Sequence, residues 1–510
     1  MAGPGASRVP ATGRMQGVGE EIASERFPPG DADRFAERCR EGLAALGALV
    51  DRPGFGAGPP SVGAELEIGL VDAQALPAPV NDAVRRAAGG RPVDLELDRF
   101  NLEINSEPVP LAGQPMSALG DDLADGLAAV GRAAATVGAR AVAVGILPTL
   151  RRGDLGPGGM SDSPRFRALS DGLLGLRGEP FHIDIDGDEP LRMEWDDITL
   201  EGAATGLHVH LRVPPSAFAA AFNAAQTAVA PVLAASCNSP LLLGHLLWHE
   251  TRVALFGQAI DDRAPVGGAW LPSRASFGHG WIAGPLEPFA ESVALHVPIL
   301  PVLSDEDPGT VMAAGGTPLL AELRMHHGTV WRWNRAVFAP GDDPHLRIEM
   351  RALPGGPSMT DMRANIAFLV GLTVALAPQM GWMARSMPFD FARRNFYAAA
   401  RDGLGAALLW PSPEAPSPRP APAAELIARL LPAARVGLLG FGVAASEADD
   451  LLAVVAERVA SGQTGSVWQR RALASLEGGR GRTAALAALT EAYIERSAAG
   501  APVHEWDVPG

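Results

Sequence analysis

Residues 63–70 read GAELEIGL, and this alternation of acidic and apolar side chains decides our interpretation of the fold. Side chains two residues apart on a β-strand share a face, so Glu65 and Glu67 point one way while Leu66 and Ile68 point the other. The stretch therefore predicts a strand with an apolar face against a core and a second face that carries paired carboxylates.

Three further segments repeat this pattern of polar residues two apart. They are Glu103 and Asn105 in RFNLEINSEP, His208 and His210 in TGLHVHLRV, and Glu349 and Arg351 in HLRIEMRALPG. Any one such strand has an ordinary explanation, because an antiparallel sheet commonly has one solvated face. The four together offer carboxylates, imidazoles and a guanidinium instead of the usual Ser, Thr and Gln, which indicates a shared site.

Carboxylates that lie side by side repel one another unless cations are bound between them. Hard divalent ions such as Mg²⁺ take carboxylate oxygens and leave coordination positions for water and phosphate. A sheet whose concave face gathers these side chains is therefore a reasonable site for ATP-dependent phosphoryl transfer.

Long, irregular helical insertions separate the predicted strands, which favours an α+β fold with a curved antiparallel sheet, outer helices and a C-terminal helical appendage. Helices are predicted at residues 31–50, 217–235, 240–256 and 360–377. The predicted division is a disordered segment 1–28, a catalytic domain 29–410, a Pro-rich linker 411–423, a helical region 424–500 and a tail 501–510.

The composition excludes several classes of enzyme, because all 42 basic side chains are Arg and the sequence contains no Lys. A Schiff-base enzyme that uses its own lysine and a Walker-type phosphate loop both need this residue. A protein kinase needs a lysine on its third strand. Any phosphate chemistry must therefore rely on metals, Arg and backbone amides.

The net charge of −16 disfavours nucleic acids and anionic membranes as partners, because basic patches supply affinity for both. The two cysteines, Cys39 and Cys237, indicate neither a disulfide framework nor a zinc cage, so we expect a cytoplasmic protein. The chain opens without a basic-then-apolar leader, and its most apolar helical stretch, 368–377, is expected to be too short to span a membrane.

In this order, the motifs GAELE, LEINSEP, TGLHVHL and RIEMR resemble the metal and nucleotide strands of the glutamate–cysteine ligases. The chain is most similar to family 2, the bacterial carboxylate–amine ligases of the glutamine synthetase-like superfamily. Supporting stretches are SPRFRAL, NSPLLLG, HGTVWRWNR and MRALPGGP, so that the resemblance runs from about residue 61 to 410.

The resemblance implies an enzyme in which ATP phosphorylates a substrate carboxylate and an amine then displaces phosphate to form an amide. It implies that five residues ligate two or three Mg²⁺ (or Mn²⁺) ions: Glu65, Glu67, Glu103, His208 and Glu349. His210 and Arg351 would face the nucleotide phosphates. Arg351, which would steady the transferring phosphoryl group, and Glu65 are the implied catalytic residues.

The substrates of such a ligase are small molecules, with glutamate as the expected carboxylate and an amine or amino acid such as cysteine as acceptor. Arg332 and Arg335 in HGTVWRWNR are candidates for a bidentate clamp on an amino-acid carboxylate, with Trp331 or Trp333 as an apolar wall. Equally, these Trp and Arg side chains could stack to seal the sheet edge. Arg165 in SPRFRAL is a further candidate, and a homo-oligomer is compatible with the superfamily.

Two alternatives to a ligase stay open. A phosphotransferase similar to the guanidino kinases would stop after phosphoryl transfer, and a catalytically silent relative would only bind nucleotide or partners. The complete set of Glu and His positions counts against the silent relative.

Two other features have simpler explanations than metal binding. HIDIDGDEP, residues 182–190, spaces three aspartates as a calcium loop does, but Trp195 stands where that loop needs Glu, so we predict a hairpin turn. His245 and His249 lie four apart on a predicted apolar helix without the glutamate of a zinc protease motif, which favours a helix face over a zinc site.

Overall fold

A computed structural model of the chain describes residues 22–89, 92–264, 271–412 and 417–510. Its strands in these ranges are β1 Ser61–Val71, β2 Asp94–Leu95, β3 Asn101–Asn105, β4 Val109–Pro110, β5 Arg140–Val142, β6 Phe181–Ile185, β7 Leu191–Trp195, β8 Gly206–Arg212, β9 Leu241–Leu242, β10 His245–Leu246, β11 Asn334–Ala339, β12 His345–Pro354, β13 Ala407–Trp410 and β14 Arg419–Pro422. The mixture of these strands with long helices confirms the α+β class.

The helices of the first two thirds of the chain are α1 Asp31–Val50, α2 Asn81–Ala87, α3 Pro115–Ala135, α4 Pro164–Arg177, α5 Thr199–Gly202, α6 Pro215–Ser236, α7 Thr251–Ala259, α8 Glu287–Leu295, α9 Pro308–Ala313 and α10 Ala321–Gly328. The later helices are α11 Met359–Leu376, α12 Met380–Ser386, α13 Phe389–Asp402, α14 Ala423–Gly440, α15 Ala445–Ser461, α16 Gly465–Glu477 and α17 Arg482–Ala499.

The main sheet is antiparallel, and its strand order is β11-β12-β8-β1-β3-β2, with β4 and β5 also pairing with β1. The curved antiparallel sheet predicted from the four motifs is thereby confirmed. One face is apolar throughout, as Leu66, Val209 and Ile348 illustrate, each fully buried. This face joins α6 and α11 in the largest hydrophobic core, which leaves the opposite face for polar side chains.

The C-terminal helices pack directly on this core. At the closest approach of α11 and α14, a Cβ on Gly437 would lie 2.0 Å from the Gly371 carbonyl oxygen, so only glycine fits there. The buried Trp506 in the predicted tail packs edge-on against Trp468 of α16, with ring centroids 5.2 Å apart. The predicted domain boundaries stay a prediction; residues 1–21 and 413–416, parts of the predicted disordered segment and linker, lie outside the described residues.

Two helical stretches are long and apolar enough to cross a membrane by length and composition, Pro215–Ser236 and Met359–Ser386. This corrects the expectation that the most apolar helical stretch is too short. Within their most apolar windows, 83% and 61% of the residues are buried inside the protein, as in core helices.

The predicted helix over residues 240–256 is wrong in its first half. Leu243 has a φ of 50° and Gly244 a φ of 81°, so the chain turns into the short β9–β10 pair, and α7 begins only at Thr251. His245 and His249 therefore share no helix face. The hairpin predicted around residues 184–190 is confirmed, because β6 and β7 pair antiparallel across it.

Candidate active site

Cross-strand register brings the four motifs into contiguous rows on the polar face, which we call the cup. The opposed pairs are Glu65 with His208 and Asn105, Glu67 with Glu103, Glu349 with His210, and Glu349 with Arg335. Directly opposed residues have Cβ atoms about 5 Å apart, so these side chains contact one another. The sequence prediction that the polar pairs share one site therefore matches the geometry.

Glu65 lies at the centre of the cup, between two imidazoles. Its Oε2 is 3.2 Å from Nδ1 of His208, and its Oε1 is 3.0 Å from Nε2 of His210. Arg347 donates to Nδ1 of His210 over 3.0 Å, so the proton of neutral His210 is on Nε2, toward Glu65. Burial acts to raise the pKa of Glu65, but His210 and His208 hold it well below its usual range.

Two groups of side chains could each hold a metal ion, and His208 belongs to both. Glu65, His208 and Glu349 form one group, and Glu67, Glu103 and His208 form the other, with ligand atoms within 4.8 Å of one another in each. A neutral imidazole has one free lone pair, so His208 can ligate a single ion at a time. The remaining donors are hard carboxylate oxygens. This donor set fits a divalent cation such as Mg²⁺.

On its β3 side the cup has more carboxyls than cations. Burial raises the pKa of Glu103 well above its usual range, and Glu65, Glu96 and Glu67 raise it further. Burial and Glu67 likewise raise the pKa of Glu201 to about 8, although Arg351 opposes this. The shifts have the sign expected of buried carboxyls that lie close to one another.

On its β11 side the cup is rich in arginine. Arg335 donates from Nε and Nη2 to the two carboxylate oxygens of Glu349, over 2.7 and 2.9 Å. Arg351 donates from Nη1 to Oε1 of the same carboxylate over 2.6 Å. Burial acts to raise the pKa of Glu349, but these two guanidinium groups hold it well below its usual range. Glu349 thus fixes Arg351 at the edge of the cup.

The other predicted substrate residues lie away from these rows. Arg332 is 4% exposed; its Nη1 donates to Glu291 over 2.6 Å, while Nε and Nη2 have no partner among the described residues. These two nitrogens form the edge of a guanidinium that binds a carboxylate bidentately. On Arg335 the same edge is already occupied by Glu349. Arg165 lies on α4, where its Nη1 is 3.5 Å from Sδ of Met325.

Of the two tryptophans proposed as an apolar wall, Trp333 is buried in an aromatic cluster. Its ring centroid is 5.4 Å from that of Phe256 and 5.4 Å from that of Phe396. Trp331 is half-buried and only partly packed against the same core. The alternative that the aromatic side chains of this segment stack in the interior therefore fits Trp333 better than a role in the substrate wall.

Sequence reasoning missed two parts of the site. Glu96 and Glu201 add carboxyls beside Glu67, and burial followed by Glu67 raises the pKa of Glu96 well above its usual range. The signal for Glu96 was present, because DLELD at 94–98 alternates acidic and apolar residues as the four motifs do.

The second missed part is a buried clamp made by Arg252. Its Nη1 donates to the Thr205 carbonyl over 3.1 Å and its Nη2 to the Ala352 carbonyl over 2.8 Å. Ala352 lies at the register shift between β12 and β8 that follows Met350. Arg252 therefore supports the irregular backbone next to Arg351, and no local sequence pattern reveals this contact.

A family model described as glutamate-cysteine ligase family 2 matches residues 61–492. Among solved structures, the glutamate–cysteine ligase of Francisella tularensis in complex with AMP covers 89% of this chain and 90% of its own, at 9% identity and a TM-score of 0.50. A bifunctional glutathione synthetase from Pasteurella multocida covers 89% and 54%, at 12% identity and a TM-score of 0.43.

The ligase PafA in complex with the ubiquitin-like protein Pup covers 83% of this chain and 70% of its own, at 12% identity and a TM-score of 0.38. The Francisella structure shows a shared fold, and we draw nothing from the other two. No curated protein matches the sequence at the threshold applied.

Proposed function

The chain belongs to glutamate–cysteine ligase family 2, which makes it a carboxylate–amine ligase, and on that premise we propose that it forms an amide from a carboxylate and an amine at the expense of ATP. The observation that carries this proposal is the cup itself. Two overlapping groups of metal-ligating side chains lie next to a carboxylate-anchored arginine on one face of the sheet. Phosphoryl transfer needs both components, cations on the phosphate oxygens and a rigid positive charge.

Mg²⁺ would be held by Glu65, His208 and Glu349 in one position and by Glu67 and Glu103 in another, with Mn²⁺ as a substitute. Bound there, it would neutralise the charge that develops on the phosphate oxygens. The protein contributes the arrangement around it. Glu349 holds Arg351 by a 2.6 Å hydrogen bond, so this guanidinium is placed before substrate arrives.

In the proposed reaction, a carboxylate oxygen of the donor attacks the γ-phosphorus of ATP, and the bond from that phosphorus to the β-phosphate oxygen breaks. ADP leaves and an acyl phosphate remains. The amine nitrogen then attacks the acyl carbon, the bond from carbon to the phosphate oxygen breaks, and inorganic phosphate departs as the nitrogen loses a proton. We assign the phosphate contacts to Arg351 and to His210, whose ring Arg347 holds through Nδ1.

We assign donor recognition to Arg332, because its Nε and Nη2 edge is buried and free among the described residues. A glutamate carries a carboxylate for this edge and a second one to be activated. Arg335 then acts through Glu349, and we assign Arg165 on α4 a supporting contact with the donor. The amine acceptor is an amine or amino acid, with cysteine as the acceptor named by the family.

We further propose that the enzyme works in the cytoplasm on small molecules. Its two thiols are buried and unpaired, and burial raises the pKa of Cys39 to about 12, which keeps that thiol protonated. A homo-oligomer is compatible with this proposal.

The test is ADP release with glutamate, ATP and Mg²⁺, measured without amine and with a panel of amines, and with product masses determined. We expect amine-stimulated ADP release and an amide product. A stable phosphorylated acceptor that forms without any amine would favour the guanidino-kinase-like alternative. Nucleotide binding with no turnover on any substrate would favour a silent relative.

A further inference from the structure

Buried hydrogen bonds connect the C-terminal helices α16 and α17 to the backbone of the cup. They run through three side chains that we call the bridge, namely Asn238, Glu250 and Arg252, which are 0%, 0% and 3% exposed. The bridge begins at α16 and α17 and ends at β8 and β12, the strands that carry His208 and Arg351. Its members lie outside the two groups of metal-ligating side chains, so metal binding does not account for it.

At the cup, the guanidinium of Arg252 holds β8 and β12 together. Its Nη1 donates to the Thr205 carbonyl over 3.1 Å, and its Nη2 donates to the Ala352 carbonyl over 2.8 Å. Thr205 directly precedes Gly206, whose N–H donates to Oε2 of Glu67 over 2.6 Å. On β8, Arg252 therefore binds the peptide next to one that holds a carboxylate of the cup.

On β12, Arg252 binds where the pairing with β8 is irregular. The register shifts within residues 350–353, so that Arg351 and Ala352 both lie opposite His208. A bulge of this kind interrupts the ladder and changes the direction of the side chains beside it. Because a guanidinium presents its donors in a fixed plane, Arg252 sets the position of the bulged backbone from outside the sheet. The position of Arg351 thus depends on Arg252 as well as on the ladder.

Glu250 orients the Arg252 guanidinium. Its Oε1 accepts from Nε of Arg252 over 2.8 Å, and its Oε2 accepts from the backbone N–H of Asn238 over 2.9 Å. Nε, Nη1 and Nη2 of Arg252 are therefore all hydrogen-bonded, and the buried pair is neutral. The guanidinium cannot turn without breaking these bonds, so a displacement of Asn238 is passed on to Arg252.

Asn238 connects this pair to the C-terminal helices. Its Nδ2 donates to the Tyr493 hydroxyl over 2.8 Å and to the Gly355 carbonyl over 2.7 Å. Its Oδ1 accepts from Nε2 of Gln469 over 2.9 Å. The Tyr493 hydroxyl in turn donates to the Ala143 carbonyl over 2.9 Å. Gln469 lies on α16 and Tyr493 on α17, so both helices fix the amide of Asn238.

We propose that α16 and α17 position Arg351 for phosphoryl transfer, and that the three bridge residues are positioning residues that act through the β12 bulge. This inference rests on the proposed ligase function and gives the C-terminal helices a part in it. The bridge ends on the residue that follows Arg351. A small shift of the backbone there changes the approach of the guanidinium to phosphate and lowers the rate.

Tyr493→Phe tests the proposal by the removal of a single oxygen atom. It deletes the hydroxyl to which Asn238 donates, and it keeps the ring that packs edge-on against Trp506 with centroids 5.5 Å apart. Thr490→Val is the matched control on the same helix. It also removes a buried hydroxyl, but this one donates to the Leu486 carbonyl within α17 and does not reach the bridge.

The first measurement is kcat and KM for ADP release with glutamate, ATP, Mg²⁺ and the amine panel. We expect kcat to fall at least about fivefold in Tyr493→Phe, with the KM for ATP and glutamate within about twofold of wild type. Thr490→Val should match wild type. In an Arg351→Met background, Tyr493→Phe should lower the residual rate less than about twofold, because the guanidinium that it positions is gone.

Hydrogen–deuterium exchange followed by mass spectrometry gives a measurement that does not need turnover. We expect residues 345–354 to exchange faster in Tyr493→Phe than in wild type and in Thr490→Val. Unchanged exchange or unchanged kcat in Tyr493→Phe would overturn the positioning role. An equal fold-loss of rate with and without Arg351 would also overturn it, in favour of a purely structural bridge. Faster exchange in a protein whose wild type releases no ADP with any substrate would support the connection and overturn the ligase function instead.

Discussion

The cup and the junction between α11 and α15 both bury ionisable side chains, but the junction pairs its carboxylate with a guanidinium, whereas the β3 side of the cup gathers carboxyls against one another. At the junction, Arg458 donates from Nη2 to Oδ1 of Asp361 over 2.7 Å, and Oδ2 accepts from Ser358 Oγ and Val503 N over 2.7 and 2.9 Å. On the β3 side of the cup, Glu67 lies opposite Glu103, and burial together with Glu65, Glu96 and Glu67 raises the pKa of Glu103 well above its usual range.

This difference distinguishes charged side chains that stabilise the fold, at the junction, from charged side chains that we assign to ligand binding, in the cup. A buried pair with complete hydrogen bonds gives little net stability, but the loss of one partner is strongly destabilising. Buried carboxyls that lie beside other carboxyls instead show raised pKa values, as Glu103 and Glu201 do, and such perturbed groups mark functional sites. The comparison predicts that replacing a carboxylate by an amide lowers mainly activity in the cup and mainly stability at the junction.

The largest effect is expected for Glu65→Gln. It removes a carboxylate from the proposed metal site while it keeps the side-chain size, so ADP release should fall by about 10³-fold or more. Thermal stability should fall by much less than in Asp361→Asn, because the relief of repulsion with Glu103 offsets the lost contacts with His208 and His210. Activity assays and thermal unfolding check this, with Glu457→Gln on the exposed face of α15 as the control. Full activity in Glu65→Gln would remove this residue from the site.

Asp361→Asn is expected to give the reverse result. It leaves Arg458, which is 1% exposed, without its charge partner, and the free energy of unfolding should fall by about 3–5 kcal/mol. The rate of ADP release per folded molecule should stay within about twofold of wild type, since the junction lies on the apolar side of the sheet. Urea unfolding measures the free energy of unfolding, and ADP release at low temperature measures the activity of the folded protein. A loss of activity with unchanged stability in Asp361→Asn would contradict the distinction between the junction and the cup.

A third effect is the pH dependence of stability. Burial, supported by Arg470, lowers the pKa of His249 to about 4, so the folded state resists protonation and stability falls as the pH drops from 6.5 toward 4. The raised pKa of Glu201, about 8, has the opposite sign: the folded state retains a proton, and stability falls as the pH rises from 4.5 toward 8. Each group contributes at most about 1.4 kcal/mol per pH unit.

Urea unfolding midpoints in EDTA between pH 4.5 and 8 test these slopes. His249→Asn should reduce the loss on the acid side and leave the alkaline side as it is, because His249 contacts Ser466 at α16 and not the cup. An unchanged acid slope in this variant would contradict the assignment.

The strands of the cup were predictable because their apolar residues alternate with period two and face one core. Glu65, Glu67, His208 and Glu349 could therefore be placed on one face from the sequence alone. Residues 94–98 also alternate acidic and apolar side chains, so the same pattern predicts that Glu96 belongs to the polar face.

The parts of the fold and of the site that the sequence did not predict depend on contacts between distant segments. The helix predicted over residues 240–256 fails because the backbone turns at Leu243 and Gly244, while Glu250 accepts a hydrogen bond from Asn238 N over 2.9 Å. Arg252 supports the sheet through two carbonyls that lie 47 and 100 residues away in sequence. Helical periodicity carries no information about such partners.

The central claim is that the clustered carboxylates of the cup bind divalent cations. Its most direct measurement is the free energy of unfolding with and without Mg²⁺, in wild type and in Glu65→Gln. We predict that Mg²⁺ at a hundred times its Kd stabilises wild type by about 2.7 kcal/mol and gives Glu65→Gln much less. The same Mg²⁺-dependent gain in both proteins, or none in wild type, would contradict the claim.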